Sequence, residues 1–290
     1  MMQPNEATKG ISLHIGLNFV DPVHYQGWDG ELNACEADAE DMKAIAESRG
    51  FVAQSLLTSN ATRKNVIDSI VNASKGLVSG DIFFLSYSGH GGQLPDLNGD
   101  ETDLEKLDET WCLYDAEFVD DELYKLFFQF QAGVRIIVLS DSCHSGTVTK
   151  ERAIKEAAKD KTTKAGYRAM PNRDALKVYR ANQSFYDSIL KDDTLKDARN
   201  QVRASVLLIS GCQDEQLSLD GVFNGLFTGM LLRVWQNGDF AGNYKEFHEE
   251  ISKDMPKGEK PEEGQTPNYF TVGTENSAFE GQVPFTIAFP

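Results

Sequence analysis

The stretch Val134-Arg135-Ile136-Ile137-Val138-Leu139-Ser140-Asp141-Ser142-Cys143-His144-Ser145-Gly146 constrains the fold more than any other. Its consecutive apolar residues have the pattern of a strand buried on both faces inside a parallel sheet. The run then turns polar and small, which places the Cys143 thiol at the strand's carboxyl end. In open α/β sheets that edge is where ligands bind. A second stretch follows the same plan: Asp81-Ile82-Phe83-Phe84-Leu85-Ser86-Tyr87-Ser88-Gly89-His90-Gly91-Gly92. Parallel strands of one sheet end on one edge, so the two stretches together predict a Cys143–His90 dyad.

The rest of the chain predicts strands and helices in alternation. Strands are expected over 11–18, 51–57, 205–212 and 269–272, and helices over 31–49, 62–77, 118–130, 221–235 and 244–255. Thr62 is placed to cap the second helix. Such alternation implies right-handed crossovers and a parallel sheet. Residues 93–118 read as a long acidic loop, which compact domains seldom keep without a functional reason. Residues 150–203 carry fourteen of the 28 Lys and Arg residues. Helical pieces are expected there over 151–159 and 182–191, with an exposed middle.

A formal net charge of −17 argues against non-specific binding to nucleic acid or acidic membranes and suits a basic partner or substrate. Four cysteines without CxxC spacing read as reduced thiols. With no signal-like start and no membrane-length apolar run, a soluble cytoplasmic protein is expected.

Ser88-Gly89-His90-Gly91 and Asp141-Ser142-Cys143-His144-Ser145-Gly146 resemble the catalytic motifs of metacaspases and prokaryotic orthocaspases, which are caspase-fold cysteine endopeptidases. Four further stretches are similar to that family, in order: Leu32-Asn33-Ala34-Cys35-Glu36-Ala37-Asp38-Ala39, Asp120-Asp121-Glu122-Leu123, Ile209-Ser210-Gly211-Cys212-Gln213-Asp214-Glu215-Gln216 and Gln265-Thr266-Pro267. The resemblance spans 11–272. It implies an α/β, caspase-like three-layer sandwich with a mainly parallel central sheet and helices on both faces. The peptidase domain would comprise a large-subunit-like part (11–149), a basic linker or insertion (150–203) and a small-subunit-like part (204–272). A flexible N-terminus (1–10) would precede it and a C-terminal tail (273–290) would follow.

Cys143 is then the nucleophile of a thioester mechanism, and His90 takes the thiol proton and later gives it to the leaving amine. A free thiol is only a few per cent thiolate at neutral pH, so it needs such a base. His144 is the rival base, but adjacent side chains on extended backbone point to opposite faces. By match to the family, the backbone N–H groups of Gly91 and Cys143 form the oxyanion hole, worth about 3–4 kcal/mol to the transition state. Animal caspases carry Gln-Ala-Cys-x-Gly and require Asp; the departure from that motif here leaves Asp specificity without support. Asp141 shares the face of Cys143 on a strand, and by match Asp38 and Ser88 line the specificity pocket. Two desolvated carboxylates select Arg or Lys before the scissile bond.

The chemistry requires no cofactor. The loop from Asp96 to Asp103 departs from EF-hand spacing. The family's activating calcium site matches Asp108, Asp120 and Asp121, but its fourth aspartate meets Lys150. A calcium site and a solvated acidic face both remain open. The basic 150–203 segment is either a self-cleaved linker or an uncut helical insertion. Polypeptides with basic residues are the expected substrates. Alternatives are a catalytically silent binding module, a protease inactive until a protein partner binds, and a different acyl transfer by the same dyad.

Overall fold

The structure is a computed structural model that describes residues 8–97, 99, 107–142, 167–212, 220–221, 223–255, 257 and 265–288. The two apolar runs form the centre of the sheet as strands β3 (Ile82–Ser88) and β7 (Arg135–Asp141), each buried at every residue. They pair in parallel from Ile82↔Arg135 to Ser88↔Asp141. β1 (Gly10–Gly16) lies on the other side of β3, and β2 (Val52–Leu57) lies outside β1. Beyond β7 come β8 (Ser205–Ser210), parallel to it, and the edge strand β9 (Asn268–Gly273), which is antiparallel. The order β2-β1-β3-β7-β8-β9 reverses direction between β1 and β3. That is the topological switch point of an open α/β sheet.

Side chains alternate across β3, and the alternation assigns the faces. Phe83 and Leu85 join one core with α2 (Arg63–Gly76) and α3 (Asp120–Phe127) through Val66, Ile70, Leu123 and Phe127. Ile82 and Phe84 join the other with α1 (Cys35–Ser48) through Met42 and Ile45. Two later helices complete that second layer, as shown below. Burying one such Phe contributes about 1.5–3 kcal/mol. The Thr62 hydroxyl accepts from the Asn65 N–H and caps α2 as expected.

Three expectations need correction. Residues 93–118 are not one long loop. β4 (Gly91–Pro95), β5 (Leu107–Cys112) and β6 (Glu117–Val119) form a separate three-stranded antiparallel sheet. Its anchors are Leu94, Trp111, Cys112 and Phe118, all buried, with Trp111 stacked on Tyr87 at 4.5 Å. Scattered among acidic residues, these apolar positions leave no clean strand pattern.

The middle of 150–203 is not exposed throughout. Arg168, Ala169 and Met170 are buried, and α4 (Asn172–Ala181) precedes the expected helix, α5 (Gln183–Leu190). The proposed helix over 151–159 lies outside the described residues. A short α6 (Ala198–Gln201) leads into β8.

Within 273–290 the chain belongs to the core rather than trailing from it. After β8, α7 (Leu226–Trp235) and α8 (Tyr244–Asp254) pack on the sheet, and the chain then returns through β9 and α9 (Ser277–Glu280). Phe285 is buried against Phe84, with ring centroids 4.9 Å apart. Arg135, at the start of β7, fastens this segment: its guanidinium donates to Gln282 Oε1 at 2.7 Å, Thr286 O at 3.2 Å and Gly80 O at 2.7 Å, and also to Ile287 O. Arg135→Ala would strand buried acceptors and is expected to cost roughly 2–4 kcal/mol in urea unfolding. An unchanged midpoint would show that the C-terminal segment is held by its aromatic packing alone.

Candidate active site

Gly16 faces Ser88 across the β1–β3 ladder and Ser88 faces Asp141 across β3–β7, so the three strands end level on one edge. The functional side chains gather there. His90 follows β3 by two residues and is buried. Its Nε2 lies 3.0 Å from the Gly30 carbonyl oxygen, which can only accept, so Nε2 carries the proton of the neutral ring. Nδ1 is left unprotonated and has no hydrogen-bond partner among the described residues. The ring also packs edgewise on Trp28, with centroids 4.8 Å apart. Gly30 has φ +57°, and a Cβ there would stand 2.9 Å from Trp28 and 3.0 Å from His90. That position therefore requires glycine. Burial holds the His90 imidazole down at about 4, with the Gly30 carbonyl pulling the other way.

Beside His90 lies a pocket of carboxylates. Asp38 comes from α1, Ser88 from the end of β3, Asp141 from the end of β7, and Asp220 from the segment between β8 and α7. All four are buried. They surround the guanidinium of the chain's own Arg168. Nη2 lies 2.6 Å from Asp38 Oδ2 and 3.0 Å from Asp220 Oδ1; Nη1 lies 2.9 Å from Asp141 Oδ2 and 2.8 Å from the Ser88 hydroxyl.

Each acid is aimed by further donors. Ser88 donates to Asp38 at 2.7 Å, and Asn224 Nδ2 and the Gly225 N–H donate to its other oxygen at 3.0 and 3.1 Å. The Asn33 N–H donates to Asp220 at 2.8 Å. The Thr228 N–H and hydroxyl donate to Asp141 at 3.1 and 2.9 Å. Gly225 is the pocket's wall, because a Cβ there would fall 2.4 Å from the Arg168 guanidinium carbon. Burial pushes the Asp38 carboxyl up, the guanidinium pulls against that, and Asp141 adds to the rise. Burial also opposes the charge on Arg168, but the carboxylates, Asp141 foremost, outweigh it and raise its pKa.

The structure thus brings His90, Gly91, Asp38, Ser88 and Asp141 to one edge. Cys143, the nucleophile expected two residues after Asp141, lies outside the described residues, as does His144. The Gly91 N–H donates to the Arg168 carbonyl oxygen at 3.0 Å. Asp108 sits on β5, and Asp120 and Asp121 open α3. Among the described residues no group of three or more His, Cys, Asp or Glu is arranged to hold a metal ion. The acids proposed for calcium do not form such a cage, and no chemical step is routed through one. Cys35, Cys112 and Cys212 are buried thiols, and the Cys212 thiol donates to the Ser142 carbonyl oxygen at 3.3 Å. Sequence reading missed Asp220, Gly225, Gly30 and Arg168. The pocket role of each depends on contacts between distant segments, and only Arg168 lay in a segment already marked as basic.

The His90 geometry makes a spectroscopic prediction. Ring nitrogen shifts should report a neutral Nε2–H tautomer at pH 7 that persists until the pH falls toward about 4. Unfolded, the ring titrates near its ordinary value of 6.5, so below that the unfolded state binds the extra proton. Stability is therefore present above about 6.5 and is lost as the pH falls toward 4, by up to roughly 1.4 kcal/mol per pH unit for this one group. A ring that titrates near 6.5 in the folded protein would refute the burial argument.

A model of the caspase domain, Peptidase_C14, matches residues 18–277. Metacaspase-1 of Schizosaccharomyces pombe is 31% identical over 276 residues, covering 79% of this chain and 64% of that protein. Metacaspase-1A of Aspergillus oryzae is 29% identical over 240 residues, covering 72% of this chain and 56% of that one. The chain therefore spans little more than half the length of such curated metacaspases. A Geobacter sulfurreducens protein of known crystal structure is 55% identical, with a TM-score of 0.85 over 97% of this chain and 99% of that one. Caspase-1 from Spodoptera frugiperda, 10% identical, shares the fold with a TM-score of 0.55 over 94% of this chain and 90% of that one. A mainly parallel sheet with helices on both faces, a histidine at its carboxyl edge and these likenesses agree: the chain belongs to the caspase-domain family of cysteine peptidases, as a metacaspase-like member.

Proposed function

We propose that the protein is a cysteine endopeptidase that cleaves after basic residues, arginine before lysine. One observation carries the reading: the pocket beside His90 surrounds a guanidinium with Asp38, Asp141, Asp220 and Ser88. Cys143 is the nucleophile. His90 Nδ1, unprotonated in the Nε2–H tautomer, takes the thiol proton and returns it to the leaving amine. The Gly91 N–H, with that of Cys143, stabilises the tetrahedral oxyanion.

The preference for arginine follows from the two nitrogens that the pocket engages separately. Nη2 serves Asp38 and Asp220 while Nη1 serves Asp141 and Ser88. A lysine ammonium is a compact point charge and lacks that planar fork. Each charge-assisted bond is worth about 1.5–3 kcal/mol, so losing one costs on the order of tenfold to a hundredfold. Aspartate before the scissile bond would add a fourth carboxylate to the pocket and is rejected. Substrates are accordingly polypeptides with basic residues. Calcium, or a protein partner, remains a candidate activator outside the chemistry.

Hydrolysis of fluorogenic peptides ending in Arg, Lys or Asp, with calcium and with chelator, tests the reading. Arg peptides should be cut at least tenfold faster than Lys peptides, and Asp peptides not at all. Cys143→Ala should abolish turnover. Gly225→Ala, which puts a methyl group where the guanidinium sits, should lower kcat/KM for Arg peptides by roughly a hundredfold or more. Asp-peptide cleavage, or full Arg activity in Gly225→Ala, would overturn the pocket assignment. A loss of rate with chelator would assign calcium a role in activation.

A further inference from the structure

We infer that Arg168 is the enzyme's first substrate: it fills the specificity pocket in cis, and the Arg168–Ala169 peptide bond is the bond the enzyme cuts to open itself. The inference rests on the peptidase reading above and adds to it one named bond and the residue that occupies the pocket until that bond is cut.

A structural ion pair needs only the guanidinium. Here the main chain is seated as well. The Arg168 carbonyl oxygen accepts the Gly91 N–H at 3.0 Å, and the Met170 N–H donates to the Gly91 carbonyl at 2.8 Å. Gly91 and Ala169 make a parallel β-bridge. The backbone on either side of the 168–169 bond is thus clamped to the residue that follows His90. The backbone of Ala169 also lies near enough to the His90 imidazole to favour its protonated form, as the Gly30 carbonyl does. Arg168 therefore presents its side chain to the acidic pocket and its carbonyl to the expected oxyanion donor, and the backbone of the following residue lies close to the expected acid. A peptide positioned for cleavage needs these three contacts.

The reaction balances with one water. The Cys143 sulfur attacks the Arg168 carbonyl carbon, forming a C–S bond and an oxyanion that takes the Gly91 N–H. Collapse breaks the bond to the Ala169 nitrogen, which receives the proton from His90. Water then attacks the thioester, regenerating the thiol and leaving an Arg168 carboxylate and an Ala169 ammonium. The cut also leaves the core intact. β7 lies before the bond and β8 after it, and their ladder from Arg135↔Ser205 to Ser140↔Ser210 holds the two pieces in one sheet. Until the cut, Arg168 bars the pocket to any other basic side chain.

Wild type, Cys143→Ala, Arg168→Lys and Arg168→Ala can be incubated side by side. Fragments are mapped by intact mass and N-terminal sequencing, and initial rates are followed on an Arg peptide. Wild type should yield a fragment beginning Ala169-Met170-Pro171, and Cys143→Ala should not. Arg168→Lys should be cut more slowly at the same bond. Arg168→Ala should be uncut there and should hydrolyse the peptide without a lag, at an initial rate at least tenfold above that of uncut wild type. Wild type that hydrolyses the Arg peptide yet never shows the Ala169 terminus overturns the inference and leaves the peptidase reading standing. So does a terminus at another residue with 168–169 intact. No Arg-peptide hydrolysis by any of the proteins, folded by circular dichroism, defeats the peptidase reading itself. If Arg168→Ala fails to fold, the Ala169 terminus in wild type and in Arg168→Lys decides.

Discussion

Three carboxylates, from α1, the end of β7 and the segment before α7, converge on one fully buried guanidinium, and the edge of the sheet is arranged to allow it. Two unit charges about 3 Å apart attract by roughly 5 kcal/mol at an effective dielectric near 20. Burying each ion costs several kcal/mol, so such a cluster is favourable only when further hydrogen bonds satisfy the remaining lone pairs. The donors from Asn33, Asn224, Gly225 and Thr228 do so. The N–H groups of Gly225 and Thr228 belong to the start of α7, where the helix dipole also favours negative charge. The cluster is poised rather than merely stable. Removing the cation from such a site typically costs about 3–5 kcal/mol unless another cation enters or a carboxyl takes a proton. Asp38, already pushed up by burial, is the group disposed to take it.

The same edge explains why the base and the pocket are compatible. A buried imidazole and a buried guanidinium near each other repel if both are charged, and Arg168 is one of the influences that lower His90. Burial resolves this by keeping the ring neutral, and the Gly30 carbonyl selects the tautomer that leaves Nδ1 free to act. Tyr87 holds the turn from below: its hydroxyl donates to the His90 carbonyl at 2.7 Å, and the Cys112 N–H donates to the same oxygen at 2.9 Å. The small antiparallel sheet is therefore part of the machinery that positions His90.

What the sequence disclosed follows from how local each signal is. β3 and β7 were legible because four or more apolar residues in a row have few alternatives, and strand polarity alone put their ends on one edge. Asp38, Asp141 and Ser88 came by resemblance and by face, and they do converge. β4 to β6 were hidden because their buried anchors sit among acids without a period. The C-terminal segment reads as a tail because Phe279, Phe285 and Gln282 are isolated in sequence; distant partners such as Arg135, Phe84 and Tyr244 give them a reason to be buried. Asp220 and Gly225 are pocket residues by virtue of contacts with residues far away in the chain, which no local pattern encodes.

The basic segment is where the two levels of argument meet. Its positive charge on a strongly acidic chain pointed to contact with an acidic site, but charge alone could not single out one arginine among fourteen basic residues. Main-chain pairing does single one out, since Arg168 joins its carbonyl to Gly91 while its side chain is in the pocket. Two backbone hydrogen bonds of about 0.5–1.5 kcal/mol each are a weak hold beside the guanidinium cluster. Hydrolysis would alter that balance. It would place a new carboxylate on Arg168 beside Asp38, Asp141 and Asp220, and it would free that residue from the chain that ties it to α4. Repulsion and restored chain entropy then both favour departure. The β7–β8 ladder, untouched by the cut, would keep the emptied pocket in shape for the next basic side chain.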